Sequence, residues 1–97
     1  MTSLERLQSW FVSQCDGDWE HVSGIHISTL DNPGWSVKID LQGTSLEGQP
    51  FSPLKVERAE NDWLHIWSTE LAFEIRCGPR NLSEALTHFC EWVESER

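Results

Sequence analysis

Residues 35–42, WSVKIDLQ, alternate apolar and polar side chains without interruption. Successive side chains of a β-strand point to opposite sides, so this period of two predicts a strand with one buried and one solvated face. The inward side chains would be Trp35, Val37, Ile39 and Leu41. The outward side chains would be Ser36, Lys38, Asp40 and Gln42. One strand of this kind implies a sheet whose core lies on one side only.

The segment before this strand predicts a β-hairpin. GIHIST, residues 24–29, places Ile25 and Ile27 on one face. NPGW, residues 32–35, lies between the two strands. Pro33 presets φ for the first central position of a type II turn, and Gly34 would take the positive φ at the second. We therefore expect Gly34→Ala to destabilise the protein.

Three further strands follow the loop at residues 43–53. They are LKVERA at 54–59, WLHIWS at 63–68 and LAFEIRC at 71–77. A polar turn, AENDW, joins the first two. The last strand would carry one apolar face, made of Leu71, Phe73, Ile75 and Cys77.

Two amphipathic helices flank the strands. The first is predicted from Ser3 as N-cap to Gln14, with Gly17 as a left-handed C-cap residue. The second is predicted after Asn81, which would cap it together with Glu84 in a capping-box-like pair. Their apolar stripes are Leu4, Leu7, Trp10 and Phe11 in the first helix and Leu82, Leu86, Phe89 and Val93 in the second.

This order of elements predicts a single α+β domain over residues 1–97. Short connections favour a five-stranded antiparallel meander. Two amphipathic helices need an apolar surface to cover, and packing both on one sheet face satisfies that need. The opposite face of the sheet would then be open.

Charge and composition narrow the possible partners. Hydrophobic residues make up 38% of the chain and charged residues 24%, which is typical of a globular protein. The net charge is −9, from 16 acidic residues against 7 Lys and Arg. A surface this acidic repels phosphate backbones, so we expect no nucleic-acid binding. It favours a basic protein partner, unless the acidity serves only solubility.

The chain carries no signs of membrane insertion or export. No apolar run approaches the roughly 20 residues that a membrane span needs. The first ten residues, MTSLERLQSW, lack the basic and apolar regions of a secretory signal. Cys15, Cys77 and Cys90 are an odd number at irregular spacing, which indicates reduced thiols. We therefore expect a cytoplasmic protein with no membrane contact.

Residues 14–21, QCDGDWEH, concentrate acids, a thiol, an imidazole and an indole. Asp16, Asp18 and Glu20 copy the first three ligand positions of an EF-hand loop. The copy fails where His21 replaces the turn glycine and Ile27 replaces the bidentate Glu. Cys15 and His21 alone make neither a zinc site nor a cysteine–histidine signature. We expect no metal, no cofactor and no catalytic residue here.

The strand at 63–67, WLHIW, is apolar on both sides. Trp63, His65 and Trp67 would share one face, with Leu64 and Ile66 on the other. Either the strand is covered on both faces, or one face carries exposed indoles. Exposed Trp is a favoured interface anchor, because it buries a large area at little entropy cost.

Four segments resemble the bacterial immunity protein 53 family, small proteins associated with polymorphic toxin systems. They are LQSWFVSQCDGDWEH at 7–21, GIHISTLDNPGWSVKIDLQGT at 24–44, VERAENDW at 56–63 and GPRNL at 78–82. The resemblance implies that the protein binds and neutralises a cognate toxin domain, without catalysis. A nuclease is one candidate toxin, and the oligomeric state stays open.

Combining the resemblance with the acidic and aromatic clusters predicts a set of partner-binding residues. Trp19 would either fill the core or anchor the partner. Two alternatives remain: a small metal- or thiol-dependent enzyme using Cys15, Asp16, Asp18 and His21, or a general acidic adaptor. The predicted partner-binding residues are Asp16, Asp18, Trp19, Glu20, Asp40, Glu57, Glu60, Trp63, His65 and Trp67.

Overall fold

The computed structural model describes residues 1–96. Its elements are α1 (Ser3–Gln14), α2 (Trp19–Val22), β1 (Ile25–Leu30), β2 (Gly34–Asp40), β3 (Leu54–Ala59), β4 (Asp62–Ser68), β5 (Ala72–Cys77) and α3 (Leu82–Ser95). The five strands form one antiparallel sheet. The predicted α+β class, with a helix at each end of the chain, is confirmed.

The order of the strands differs from the sequential order of a meander. The sheet runs β1-β2-β5-β4-β3, so β5 rather than β3 lies beside β2. The loop at 41–53 carries the chain from β2 past two strand positions to the far edge. Neighbouring strands lie about 5 Å apart, so a loop of this length spans that distance easily. Leu41 and Leu46, with 0% and 3% exposure, bury the loop against the core.

The first hairpin is present, but its turn is not the predicted one. Gly34 is not among the residues with positive φ, and it is the first residue of β2, paired with Leu30. It is needed for a different reason. A Cβ at this position would collide with the main-chain carbonyl oxygen of Cys77, at the end of the neighbouring strand β5. The glycine is therefore needed because β2 and β5 approach closely there, and not because the turn requires a left-handed conformation.

The core lies between the helices and one face of the sheet. The inward alternation of β2 is confirmed, because Val37, Ile39 and Leu41 are fully buried. Phe89 of α3 contacts Phe73 of β5 and Trp10 of α1, with 5.0 Å between ring centroids in both pairs. One prediction for this face was wrong: Leu71 precedes β5 and is 47% exposed. It lies in the turn, where the helices do not cover it.

Both helix caps differ in detail from the predictions. Thr2, not Ser3, caps α1: its hydroxyl accepts the Glu5 N–H, and the Glu5 carboxylate accepts the Thr2 N–H. Asn81 does occupy the N-cap position of α3, but its side chain makes no capping hydrogen bond. Its amide oxygen instead accepts the Trp63 N–H of β4, and its amide NH2 donates to Asp62 and to the predicted partner Glu84. Within residues 1–96, no helix is both long and apolar enough to cross a bilayer.

Candidate functional site: the open face of the sheet

One face of the sheet is left uncovered by the helices. Strand pairing places polar or aromatic side chains in register across it. Arg76 of β5 lies between Ser36 of β2 and His65 of β4, and His65 pairs in turn with Lys55 of β3. These positions alternate with the buried core positions, as the pleat requires. We call this surface the open face.

Three side chains of β4 form what we call the aromatic strip: Trp63, His65 and Trp67. All three are half-buried, whereas Leu64 and Ile66 between them are 0% and 1% exposed on the core side. The ring centroids of Trp63 and His65 lie 5.1 Å apart. The alternation predicted for this strand is confirmed, and the indoles are on the uncovered side.

Arg76 extends the aromatic strip onto the neighbouring strand. Its guanidinium carbon lies 5.4 Å from the centroid of the Trp67 ring, within the range of a cation–π contact. The same guanidinium donates to the Ile75 carbonyl at 2.9 Å and to Glu74 at 3.4 Å. These contacts hold Trp67 in a defined orientation on the open face.

A groove of about 710 Å³ opens at one end of this face. Leu30, at the end of β1, and Trp63 contribute apolar side chains to its lining. Four of the predicted partner-binding residues line it together, although they come from different segments. They are Glu57, Glu60, Trp63 and His65. The groove is open and shallow, so it fits part of a protein surface.

The charges around the groove are mostly paired. Glu57 Oε1 lies 3.1 Å from His65 Nε2 and 3.6 Å from Lys55 Nζ. The contact with His65, and then the charge of Lys55, lower the pKa of Glu57 below its ordinary value. Arg58 is held by Glu84 at 2.6 Å and by Asp62 at 2.9 Å. Glu60 is exposed and forms no ion pair within residues 1–96.

The segment at residues 15–21 is a second acidic region, which we call the acidic turn. Asp16 Oδ1 accepts the N–H groups of Asp18 and Trp19, both at 2.9 Å. Glu20 accepts the N–H groups of Asp16 at 2.9 Å and Gly17 at 2.8 Å. Hydrogen bonds from backbone amides lower the pKa of both carboxylates. Asp16 and Glu20 therefore hold this turn together, which the sequence left open.

Gly17 sits inside this turn and does not cap α1. Its φ is +94°, but the cap residue of α1 is Cys15, two positions earlier. The short helix α2, which the sequence analysis missed, begins at Trp19, inside this segment. Asp18 makes no side-chain cap bond to it and is exposed. Of the three acids in this turn, Asp18 is thus the one whose carboxylate is free of the turn's backbone.

Trp19 and Asp40 have mainly structural contacts. Trp19 is 7% exposed, and its indole N–H donates to the Gln42 carbonyl at 2.8 Å. Of its two proposed roles, the structure shows the core one. Asp40 accepts the Gly24 N–H at 2.9 Å and lies 3.9 Å from His26, so it positions the start of β1. Neither residue belongs to the groove.

None of the three cysteines has the lowered pKa of an activated nucleophile. Burial raises the pKa of Cys77 to about 11 and also raises that of Cys90. Burial and the carboxylates of Glu20 and Asp16 raise the pKa of Cys15. Reactive cysteines need the opposite shift. Within residues 1–96, no three or more His, Cys, Asp or Glu side chains are grouped as metal ligands would be.

Sequence reasoning missed four residues that line the groove: Leu30, Arg58, Ala59 and Arg76. Arg76 had a signal, because alternation with Ile75 and Cys77 puts it on the side opposite the core. The predicted meander already pairs β5 with β4, but it does not set the register of that pair, and the register is what places Arg76 opposite His65 and beside Trp67. Leu30 and Arg58 reach the groove from opposite edges of the sheet, which no local pattern indicates.

Comparison with known proteins agrees with the resemblance found in the sequence. The family model of immunity protein 53 matches residues 4–94 of the 97. No curated protein and no solved structure matches the chain. The match spans both terminal helices, the whole sheet, the groove and the acidic turn. The chain therefore belongs to the immunity protein 53 family and has, in general terms, an immunity function directed at a protein toxin.

Proposed function

We propose that the protein neutralises its cognate toxin in the cytoplasm by binding it directly through the open face, without catalysis. The observation that supports this proposal is the aromatic strip. Trp63 and Trp67 are half-buried on a face that no helix covers, beside a groove. Indoles in such positions are typical of interface hot spots, where a few aromatic side chains supply most of the binding energy.

The toxin domain we propose has a basic active cleft, as a nuclease has. The net charge of −9 supports this choice, because it would attract a basic surface from a distance. The open face itself carries charges of both signs, such as Glu74 beside Arg76. Long-range attraction would therefore come from the acidic turn and other acidic surfaces, and retention from the aromatic strip and the groove.

These two contributions have different dependence on salt. Attraction between exposed charges is screened over about 10 Å at 0.1 M salt and about 3 Å at 1 M. Contacts of buried indoles exclude water and are screened much less. Charge therefore acts mainly on the association rate, and the aromatic contacts act mainly on the dissociation rate.

The test is the binding kinetics of the cognate toxin domain, measured at both salt concentrations. We expect inhibition of the toxin and protection of cells that express it. Asp18→Asn should lower the association rate at low salt only, and Trp67→Ala should raise the dissociation rate at both salt concentrations. Leu71→Ala, at an exposed apolar residue off the open face, is the matched control.

Several outcomes would contradict the proposal. A toxin that is neither bound nor inhibited would refute the immunity mechanism by direct binding. Binding that is unchanged in Trp67→Ala and in Trp63→Ala would refute the open face as the contact surface. An unchanged salt response in Asp18→Asn would show that the acidic turn has only its structural role.

A further inference from the structure

The two edge strands of the sheet differ in how they are protected. β3 follows Pro53, carries Lys55, Glu57 and Arg58, and shifts register between Glu57 and Ala59. Proline, charge and irregular pairing are the usual devices that stop an edge strand from pairing with another chain. β1 has none of them: IHISTL contains no Lys, Arg, Asp, Glu or Pro, and it pairs with β2 in unbroken register.

The backbone of β1 points alternately toward β2 and away from it. The Asp40 N–H donates to the Gly24 carbonyl at 3.0 Å, and the same register continues along the strand. In an antiparallel pair, hydrogen-bonded and non-hydrogen-bonded residues alternate. Gly24 is hydrogen-bonded, so His26 and Ser28 are too. The outward N–H and C=O groups are therefore those of Ile25, Ile27 and Thr29.

No helix or loop of the described chain covers this edge. Residues 26–29 are all exposed, and Ile27 is 41% exposed although its side chain lies on the core side of the sheet. Ile27 faces Val37 of β2, which is fully buried. Ile27 thus extends the apolar core surface outward to a place where a further strand would cover it.

We propose that β1 pairs antiparallel with β1 of a second copy, around a two-fold axis at Ile27. In that register Ile27 faces the same residue of the second copy, and Ile25 faces Thr29. All three outward-facing residues on each side then form hydrogen-bonded pairs, as an isologous contact requires. The two sheets would join into one continuous sheet.

Charge selects a second copy over a strand of the toxin as the occupant. Each copy carries −9, so two copies repel each other, and this repulsion is smallest where the contact itself brings no carboxylates together. β1 is such a segment, since none of the acidic residues lies in it. A basic toxin would instead be drawn toward the acidic surfaces. β1 is thus suited to self-association, and it has no negative charge to attract a basic partner.

The dimer would leave the open face available. The two-fold axis of an antiparallel strand pair is perpendicular to the sheet, so both aromatic strips would face the same side. One strand pair buries less than the 1,200 Å² or so of a standard stable interface. The dimer should therefore be weak, depend on concentration, and become stronger with salt as repulsion is screened.

Sedimentation velocity of the full chain tests this at several protein concentrations and at two salt concentrations. We expect the average mass to rise toward a dimer with concentration, and further with salt. Ile27→Lys places two like charges on the axis and should remain a monomer. Leu71→Lys, at an exposed apolar residue outside β1, should behave like the unmodified protein. A monomer at every concentration and salt, or an Ile27→Lys variant that dimerises normally, would overturn the proposal.

Amide hydrogen exchange in the unmodified protein makes the test independent of any variant. The amides of Ile25, Ile27 and Thr29 should exchange fast at low protein concentration and slow at high concentration. Those of His26 and Ser28 should be protected at both, because they bond to β2. If amide exchange slows evenly along β1, or slows only in another element, the contact lies elsewhere and the proposal is wrong.

Discussion

The two faces of the sheet both carry tryptophan, but in different surroundings. On the covered face, Trp19 and Trp92 are each 7% exposed, and their indole N–H groups donate to the carbonyls of Gln42 and Pro50 at 2.8 and 2.9 Å. On the open face, Trp63 and Trp67 are half-buried, and their indole N–H groups have no hydrogen-bond partner within residues 1–96.

This difference separates residues that stabilise the fold from residues offered to a partner. A buried indole usually satisfies its N–H inside the protein, whereas a half-exposed indole can donate it to water or to a partner protein. Exposure and hydrogen bonding together therefore distinguish these four tryptophans. The other two do not follow the same rule: Trp10 is 5% exposed and its indole N–H has no hydrogen-bond partner within residues 1–96, whereas Trp35 is partly buried and donates to the Pro79 carbonyl. Residue type and alternation alone do not show whether a tryptophan belongs to the core or to the open face.

The largest expected effect is on the covered face. Trp92→Ala should lower the free energy of unfolding by about 3–5 kcal/mol, because it removes a large ring from a packed core. Trp92 stacks on Phe73 at 5.3 Å and contacts Phe51 at 5.6 Å. Trp67→Ala is the matched variant on the open face and should cost much less. Urea unfolding measures both, and equal losses would remove the distinction between the faces.

The next effect concerns binding. Trp63→Ala should weaken toxin binding by about 2 kcal/mol, roughly 30-fold, with most of the loss in the dissociation rate. The fold should be retained, since the ring is half-exposed. Surface plasmon resonance with the cognate toxin measures the rates, and a thermal melt checks the fold. A Trp63→Ala variant that binds normally would show that the open face is not the recognition surface.

A third prediction concerns the contact between the first hairpin and β5. Gly34→Ala should destabilise the protein by about 1–3 kcal/mol, because the new methyl group collides with the Cys77 carbonyl. Gly24→Ala is a suitable control: a methyl group added there would meet nothing within 4 Å, and the φ of Gly24 is not positive. If the two variants unfold at the same urea concentration, the close strand approach does not constrain residue 34.

The smallest effect belongs to the acidic turn. Asp16→Asn should lower stability measurably, and less than Gly34→Ala, because two backbone N–H groups lose a charged acceptor. Asp18→Asn should leave stability unchanged. Equal stability of the two variants in urea melts would contradict the role assigned to Asp16.

The pKa values of Asp16 and Glu20 are lowered in the folded protein, so the turn should also respond to pH. Their contribution is present above the ordinary values of 3.8 and 4.5, and it is lost as the pH falls through the lower folded values. Asp16→Asn should reduce this acid sensitivity. The check is a series of urea melts between neutral and acidic pH, in which an unchanged pH profile for Asp16→Asn would argue against the assignment.

Local sequence patterns were sufficient to predict every element of the fold except the short helix α2. Alternation in residues 35–42 and 63–67 is a local property of the pleat, and the helical stripes are a local property of the helix. These patterns therefore located the strands and α3 within a few residues. They also separated the buried Leu64 and Ile66 from the aromatic strip. Family membership was also visible in the sequence, because its motifs are contiguous.

The tertiary structure decided how those elements meet. The position of β5 beside β2 depends on which apolar surfaces pack best, and a loop as long as 41–53 permits several orders. That position gives Gly34 its close neighbour, Cys77, and brings Leu30 into the groove with residues of β3 and β4. These outcomes depend on contacts between residues far apart in sequence. The two-residue period of a strand and the 3.6-residue period of a helix are local patterns and cannot predict such contacts.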